Sequence, residues 1–153
     1  MKTPFLLVAT LALLSGCANL GAQAEANKLI EQRQLAAIVE KAGKSRVLIT
    51  DVPSANNSIS DQMIVASLKS GASSNSVDAL LKVLQQSPAA MVAVTGKSGK
   101  VTAATVEAVL KRLAPLPANS QTVLLFVGDA VYTEKLKLAA VSSGIKLETL
   151  QVP

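Results

Sequence analysis

Three short aliphatic runs, none of them interrupted by polar residues, constrain the fold of this chain more than any other feature. They occupy residues 47–49, 91–94 and 123–127. A strand with one solvated face alternates apolar and polar side chains, whereas a strand covered on both faces is apolar throughout. The runs therefore predict three strands of a parallel sheet that is buried between layers of helices.

Helical patterns separate these runs. Apolar residues recur three and four positions apart, as on one face of a helix. The spacing predicts helices over 25–42, 60–70, 77–87, 102–113 and from Asp129 or Thr133 to Gly144. Ser60 and Thr102 are placed to cap the second and fourth of these helices, because a hydroxyl oxygen at the start of a helix accepts a hydrogen bond from a free backbone N–H.

Residues 145–152 predict a fourth strand. Lys146, Glu148 and Gln151 make this strand more polar than the others, which places it at an edge of the sheet. Strands that alternate with helices of this length imply right-handed crossovers. The sequence thus predicts a small, doubly wound α/β fold: a three-layer sandwich with a mostly parallel sheet of about four strands and helices on both faces. A mixed sheet with an antiparallel last strand is the alternative.

The N-terminus has the pattern of a signal peptide. Lys2 precedes an apolar run over 5–14, and the small residues Ser15 and Gly16 follow it. The run is ten residues long, whereas a helix needs about twenty to span a bilayer. A removable targeting segment over 1–16 is therefore favoured over a transmembrane anchor.

The residues Leu14-Ser15-Gly16-Cys17 resemble the lipobox of bacterial lipoproteins. The resemblance implies cleavage just before Cys17, a diacylglycerol on its thiol and an acyl chain on the new amine. An ordinary secretory signal that ends near a cysteine is the alternative. Because Ala18 and not Asp follows the cysteine, the enteric-type sorting rule implies the outer membrane, with the protein facing the periplasm. Residues 17–24 then form a tether, and 25–153 form a single α/β domain.

The composition excludes several kinds of site. The chain has no histidine, no tryptophan and one cysteine, which rules out Ser-His-Asp and Cys-His catalysis, histidine-bearing zinc sites and an intrachain disulfide. Removing residues 1–16 takes away one lysine, so 14 basic and 10 acidic residues leave a net charge of +4. The lysines are scattered and few aromatic residues accompany them, which argues against nucleic-acid binding. No catalytic residue, metal or cofactor is predicted.

The carboxyl ends of the predicted strands are the place where a ligand of a parallel sheet would bind. The candidate residues there are Asp51, Thr95, Lys97, Ser98, Lys100 and Asp129. The two lysines, with neighbouring glycines and a following helix, suit an anion. Met91 stands where a phosphate-binding loop of the P-loop type needs a glycine, so a plain polar turn is the competing interpretation. The two aspartates could form a carboxylate pair or cap the following segments.

These observations lead to two functional hypotheses. The first is a non-enzymatic accessory or protein-interaction subunit of a cell-envelope assembly, such as secretion, pilus, conjugation or wall machinery, held to the membrane by lipid on Cys17. Its partners are the membrane and an envelope protein, with no nucleic acid and no small-molecule ligand. The alternative is a binding or enzymatic domain for an anionic or phosphorylated ligand at the strand ends.

Overall fold

The protein is an α/β structure: four strands alternate with five helices in the part of the chain that the structure describes. The computed structural model describes residues 7–55, 57–86, 91–113 and 121–152, and of these residues 7–24 by their backbone alone. The elements are α1 (Leu7–Ala42), β1 (Val47–Val52), α2 (Ser58–Lys69), α3 (Asn75–Gln86), β2 (Met91–Gly96), α4 (Gly99–Arg112), β3 (Val123–Val127), a short 3₁₀ turn (Ala130–Tyr132), α5 (Thr133–Ser143) and β4 (Lys146–Leu150).

All four strands are parallel and lie in the order β1-β2-β3-β4. The prediction of about four strands is confirmed, β4 is an edge strand as expected, and it runs parallel to β3 rather than antiparallel. The sheet is not doubly wound as predicted. Strands that follow one another in chain order, joined by right-handed crossovers, place every connecting helix on the same face. The sheet therefore winds in one direction and has no point at which the strand order reverses.

The two faces of the sheet are covered very differently. Helices α2, α3, α4 and α5 pack on one face and form the main core with Val92, Val94, Leu124 and Phe126. On the opposite face, the N-terminal helix α1 contributes Ile38, which packs with the sheet residues Ala93, Leu125 and Val127. The three predicted layers exist, but one of them is the single helix α1.

Helix α4 lies at the centre of the four-helix layer. Its residues 101–110 are all buried, because α2 and α3 flank it on one side and α5 on the other. The sequence predicted burial on one side of this helix alone. The predicted cap is also wrong: α4 begins after Ser98, and Thr102 lies in its first turn, where the Thr102 hydroxyl donates to the Ser98 carbonyl at 2.9 Å.

Three other helices begin earlier than predicted, and for α3 the difference is two residues. Asn57, not Ser60, caps α2: its side-chain oxygen accepts from the backbone N–H of Ser60 at 2.8 Å. Helix α1 begins at Leu7 and runs through the stretch predicted as a tether. Three of its eight residues are alanine, with one leucine and one glutamine, and all three residue types are strong helix formers.

Strand β1 is the other edge of the sheet and is not buried on both faces as its apolar run predicted. Ile49 aligns with Ala93 on β2, and so lies on the face of the sheet that α1 covers. It nevertheless remains 42% exposed, because α1 packs over β2 and β3. The apolar character of this strand is therefore only partly used in the core.

Candidate functional site

The carboxyl ends of the strands form an open cleft beside α1. Its volume is about 560 Å³, and it is lined by Gln34, Gly96, Lys97, Gly99, Gly128, Asp129, Ala130, Gln151 and Val152. A smaller cavity of about 40 Å³ adjoins it and is lined by Asn27, Ile30, Glu31, Gln34, Asp51, Gly96 and Lys97. Of the predicted site residues, Lys97 lines both spaces, Asp129 the cleft and Asp51 the small cavity. The two aspartates line different spaces, so they do not form the predicted carboxylate pair in one pocket.

Acidic groups dominate the charge around Lys97. The Lys97 ammonium lies 3.5 Å from a carboxylate oxygen of Glu31 on α1. Partial desolvation raises the pKa of the Asp51 carboxyl, the nearby Glu31 raises it further, and Lys97 offsets part of the rise. Two carboxyl groups, those of Glu31 and Asp51, thus act on the single Lys97 ammonium, and Asp129 adds a third acidic group to the lining of the cleft. An anionic ligand would meet repulsion here rather than a positive site.

Thr95 and Lys97 hold α1 against the sheet. The buried Thr95 hydroxyl donates a hydrogen bond to the side-chain carbonyl of Gln34, and Lys97 forms its ion pair with Glu31 one turn earlier on the same helix. The same helix also reaches the edge strand β4, where the Lys41 ammonium lies 3.2 Å from Glu148. The predicted ligand residues at the end of β2 thus have partners within the protein.

The glycine-lysine loop after β2 has the geometry of a tight strand-to-helix turn. A Cβ on Gly96 would lie 2.7 Å from the Val52 carbonyl oxygen and would also collide with the Thr102 hydroxyl. Gly96 is therefore needed for the close approach of β1 and α4. Ser98 occupies the N-cap position of α4, and its side chain makes no capping hydrogen bond.

Asp129 has the capping role that was the alternative interpretation of this residue. One of its carboxylate oxygens accepts from the backbone N–H of Val131 at 3.3 Å, at the start of the 3₁₀ turn. In the described part of the chain, no three histidine, cysteine, aspartate or glutamate side chains cluster as metal ligands would.

Lys100 points away from this cleft and into a second pocket that the sequence did not reveal. The pocket lies across the outer side of α4, between α2 and α5, and has a volume of about 240 Å³. It is lined by Val65, Lys69, Lys100, Ala103, Ala104, Glu107, Tyr132, Lys135 and Leu136, and is called the lysine pocket below. The sequence did contain a signal for this pocket: residues 100, 103, 104 and 107 are spaced three and four positions apart, and therefore share one face of α4.

Cys17 lies within α1, whose backbone is helical on both sides of it. Within the ranges whose residues are described, no helix is long and apolar enough to cross a membrane. In comparisons with known proteins, no family model, curated protein sequence or solved structure matches the chain.

Proposed function

We propose that this protein is a lipid-anchored lipoprotein of the outer membrane, facing the periplasm, whose α/β domain acts by contact with an envelope protein and not by catalysis. The anchor would be Cys17, on the strength of the lipobox resemblance at Leu14-Ser15-Gly16-Cys17. The domain would be the part that recognises the partner, as an accessory subunit of a secretion, pilus, conjugation or wall-synthesis assembly.

Helix α1 connects the proposed anchor to the domain as one continuous element. From Cys17 to Gln34, the residue that bonds Thr95, the helix rises about 25 Å at ~1.5 Å per residue. Because Ile38 and two ion pairs, Glu31–Lys97 and Lys41–Glu148, fasten α1 to the sheet, this helix would hold the domain at a set distance from the membrane. A helical link is shorter and stiffer than an extended tether of the same number of residues.

The observation that carries the proposal is an apolar surface beside α1, here called the apolar flank: Leu35, Val39 and Ile49. Residues of an α-helix are rotated by about 100° from one to the next. Viewed down the axis of α1, Lys41 lies about 60° to one side of Ile38, and it contacts Glu148 on β4. Leu35 and Val39 lie on the other side of Ile38, at about 60° and 100°. Leu35 and Val39 therefore flank the side of β1, where Ile49 is exposed.

The exposure of the apolar flank favours a docking role. Leu35 is 45% exposed and Val39 63% exposed, next to the 42% exposed Ile49. Among the described residues, no strand pairs with the outer edge of β1, so the backbone groups of that edge can also bind a partner. Grouped apolar residues of this kind mark interaction surfaces more often than single ones do.

The alternative, an anionic ligand at the strand ends, has weaker support. Lys97 is paired with Glu31 and lies near Asp51, and the close packing at Gly96 explains the glycine without a ligand. In addition, a sheet that winds in one direction lacks the reversal of strand order at which ligands usually bind in such folds. We therefore favour protein contact.

Site-specific photocrosslinking in intact cells tests this proposal. A photoreactive amino acid at Val39 or Ile49 should give a discrete crosslinked protein, identified by mass spectrometry. The same group at Lys82, an exposed position on α3 on the opposite side of the sheet, is the matched control and should not give it. Equal products from all three positions, or recovery of a small metabolite from the cleft, would contradict docking through the apolar flank.

The anchor is tested separately with Cys17→Ser. Cells grown with an alkyne-bearing fatty acid should label the native chain and not this variant, and the variant should lose its membrane fraction. Finding residues 1–16 on the mature native protein would show that the lipobox is not processed.

A further inference from the structure

The lysine pocket combines an apolar floor with an unusual concentration of positive charge. Its floor is formed by Val65, Ala103, Ala104 and Leu136, and the ring of Tyr132 closes one side. Two adjacent alanines on α4 create the depression, because α2 and α5 carry larger side chains on either side of it. The rim carries three lysines, which are Lys69 from α2, Lys100 from α4 and Lys135 from α5.

The positive charge at the rim is only partly neutralised. Among the described residues, Glu107 is the one acidic side chain that lines the pocket, and it forms ion pairs with Lys111 at 2.7 Å and with Lys135 at 2.6 Å. Burial by itself raises the pKa of Glu107, but the hydrogen bonds from these two lysines hold it below its ordinary value. In the described part of the chain, Lys69 and Lys100 form no ion pair.

We propose that the lysine pocket binds a small amphipathic anion, with an alkyl chain on the alanine floor and an acidic head between Lys69 and Lys100. This geometry differs from that of the strand-end cleft, where Lys97 is already paired with Glu31 and lies near Asp51. Lys69 and Lys100 are exposed at the mouth of the pocket and would supply the charge for the head, while the apolar floor would remove the alkyl chain from water.

The volume limits the size of the ligand. A cavity of about 240 Å³ equals roughly eight water molecules at ~30 Å³ each. This is room for a single alkyl chain of about eight carbons, with its head at the open rim. A diacyl lipid or a peptide helix is too large to enter, so the proposal is restricted to single-chain anions such as medium-chain fatty acids. This ligand site is separate from the apolar flank, which lies on the opposite face of the sheet.

Tyr132 provides a local reporter for the test. It is the only tyrosine of the chain, so incorporation of fluorotyrosine gives a single ¹⁹F resonance within the pocket. The full chain, purified from membranes and reconstituted in phosphatidylcholine nanodiscs, is titrated with octanoate, and with octanol and octylammonium as neutral and cationic probes. We expect octanoate to shift the resonance saturably and the other two probes to bind at least about tenfold more weakly.

Three variants complete the test. Lys69→Gln with Lys100→Gln should weaken octanoate binding about tenfold, whereas the control Lys82→Gln, which removes an exposed lysine far from the pocket, should leave it unchanged. Ala104→Leu fills the floor and should abolish the shift while thermal melting shows a folded protein. The proposal is overturned if millimolar octanoate leaves the resonance unmoved, if octanol binds as tightly as octanoate, or if Ala104→Leu still binds.

Discussion

Among the described side chains of α1, Ile38 is the most deeply buried of those that attach the helix to the sheet, and this makes it a decisive position. Ile38 is 0% exposed and packs with Ala93, Leu125 and Val127. Ile38→Ala removes three carbon groups, which at ~0.8 kcal/mol each loses about 2.4 kcal/mol of transfer free energy. The cavity left behind adds to this, so we expect a loss of about 3 kcal/mol in the free energy of unfolding.

The loss should be concentrated in α1, because the core formed by α2–α5 lies on the other face of the sheet. Urea unfolding measures the total loss, and hydrogen exchange read by mass spectrometry should show faster exchange of the α1 amides over 34–42 than of the α4 amides. Val39→Ala is the matched control. Val39 follows Ile38 in the chain and is 63% exposed, so its truncation should lower the free energy of unfolding by no more than about 0.5 kcal/mol. Equal losses for the two variants, or unchanged exchange of α1 in Ile38→Ala, would refute the reasoning.

Three further predictions concern the strand ends and the charged groups. Gly96→Ala should lower the free energy of unfolding in urea by about 2 kcal/mol, because its Cβ would press on the Val52 carbonyl; Gly99→Ala, whose Cβ has a 3.6 Å contact, should cost less. Asp51→Asn should stabilise the protein at pH 7, because the raised pKa of this carboxyl means that its ionised form is disfavoured in the folded state. In denaturation curves, this gain should disappear as the pH falls below the ordinary value of 3.8. Glu107→Gln should lower the free energy of unfolding by about 1 kcal/mol at pH 7. That loss should fade as the pH drops through the lowered pKa of Glu107, since protonation removes the same lysine pairs.

The strand pattern was predictable because it depends on local composition. Uninterrupted aliphatic runs favour strands with both faces covered, and the runs that begin at Met91 and Val123 form the two central strands. The polar Lys146 and Glu148 correctly placed β4 at an edge, because an edge strand tolerates charge on its solvated side. The end of α5 was also predictable: Gly144 adopts a φ of 68°, a left-handed conformation that glycine adopts at little cost.

Burial and the grouping of site residues were decided by tertiary packing. Leu35, Ile38 and Val39 are equally apolar and share one helix, yet Ile38 alone is fully buried, because the angle at which α1 crosses the sheet selects which of its residues meets β2 and β3. Lys97 and Lys100 stand three residues apart in one predicted loop. A helix begins between them at Gly99, so its rotation turns Lys100 toward α2 and α5 while Lys97 stays beside α1. Periodicity in a sequence specifies which residues share a face, whereas the element that covers that face comes from distant parts of the chain.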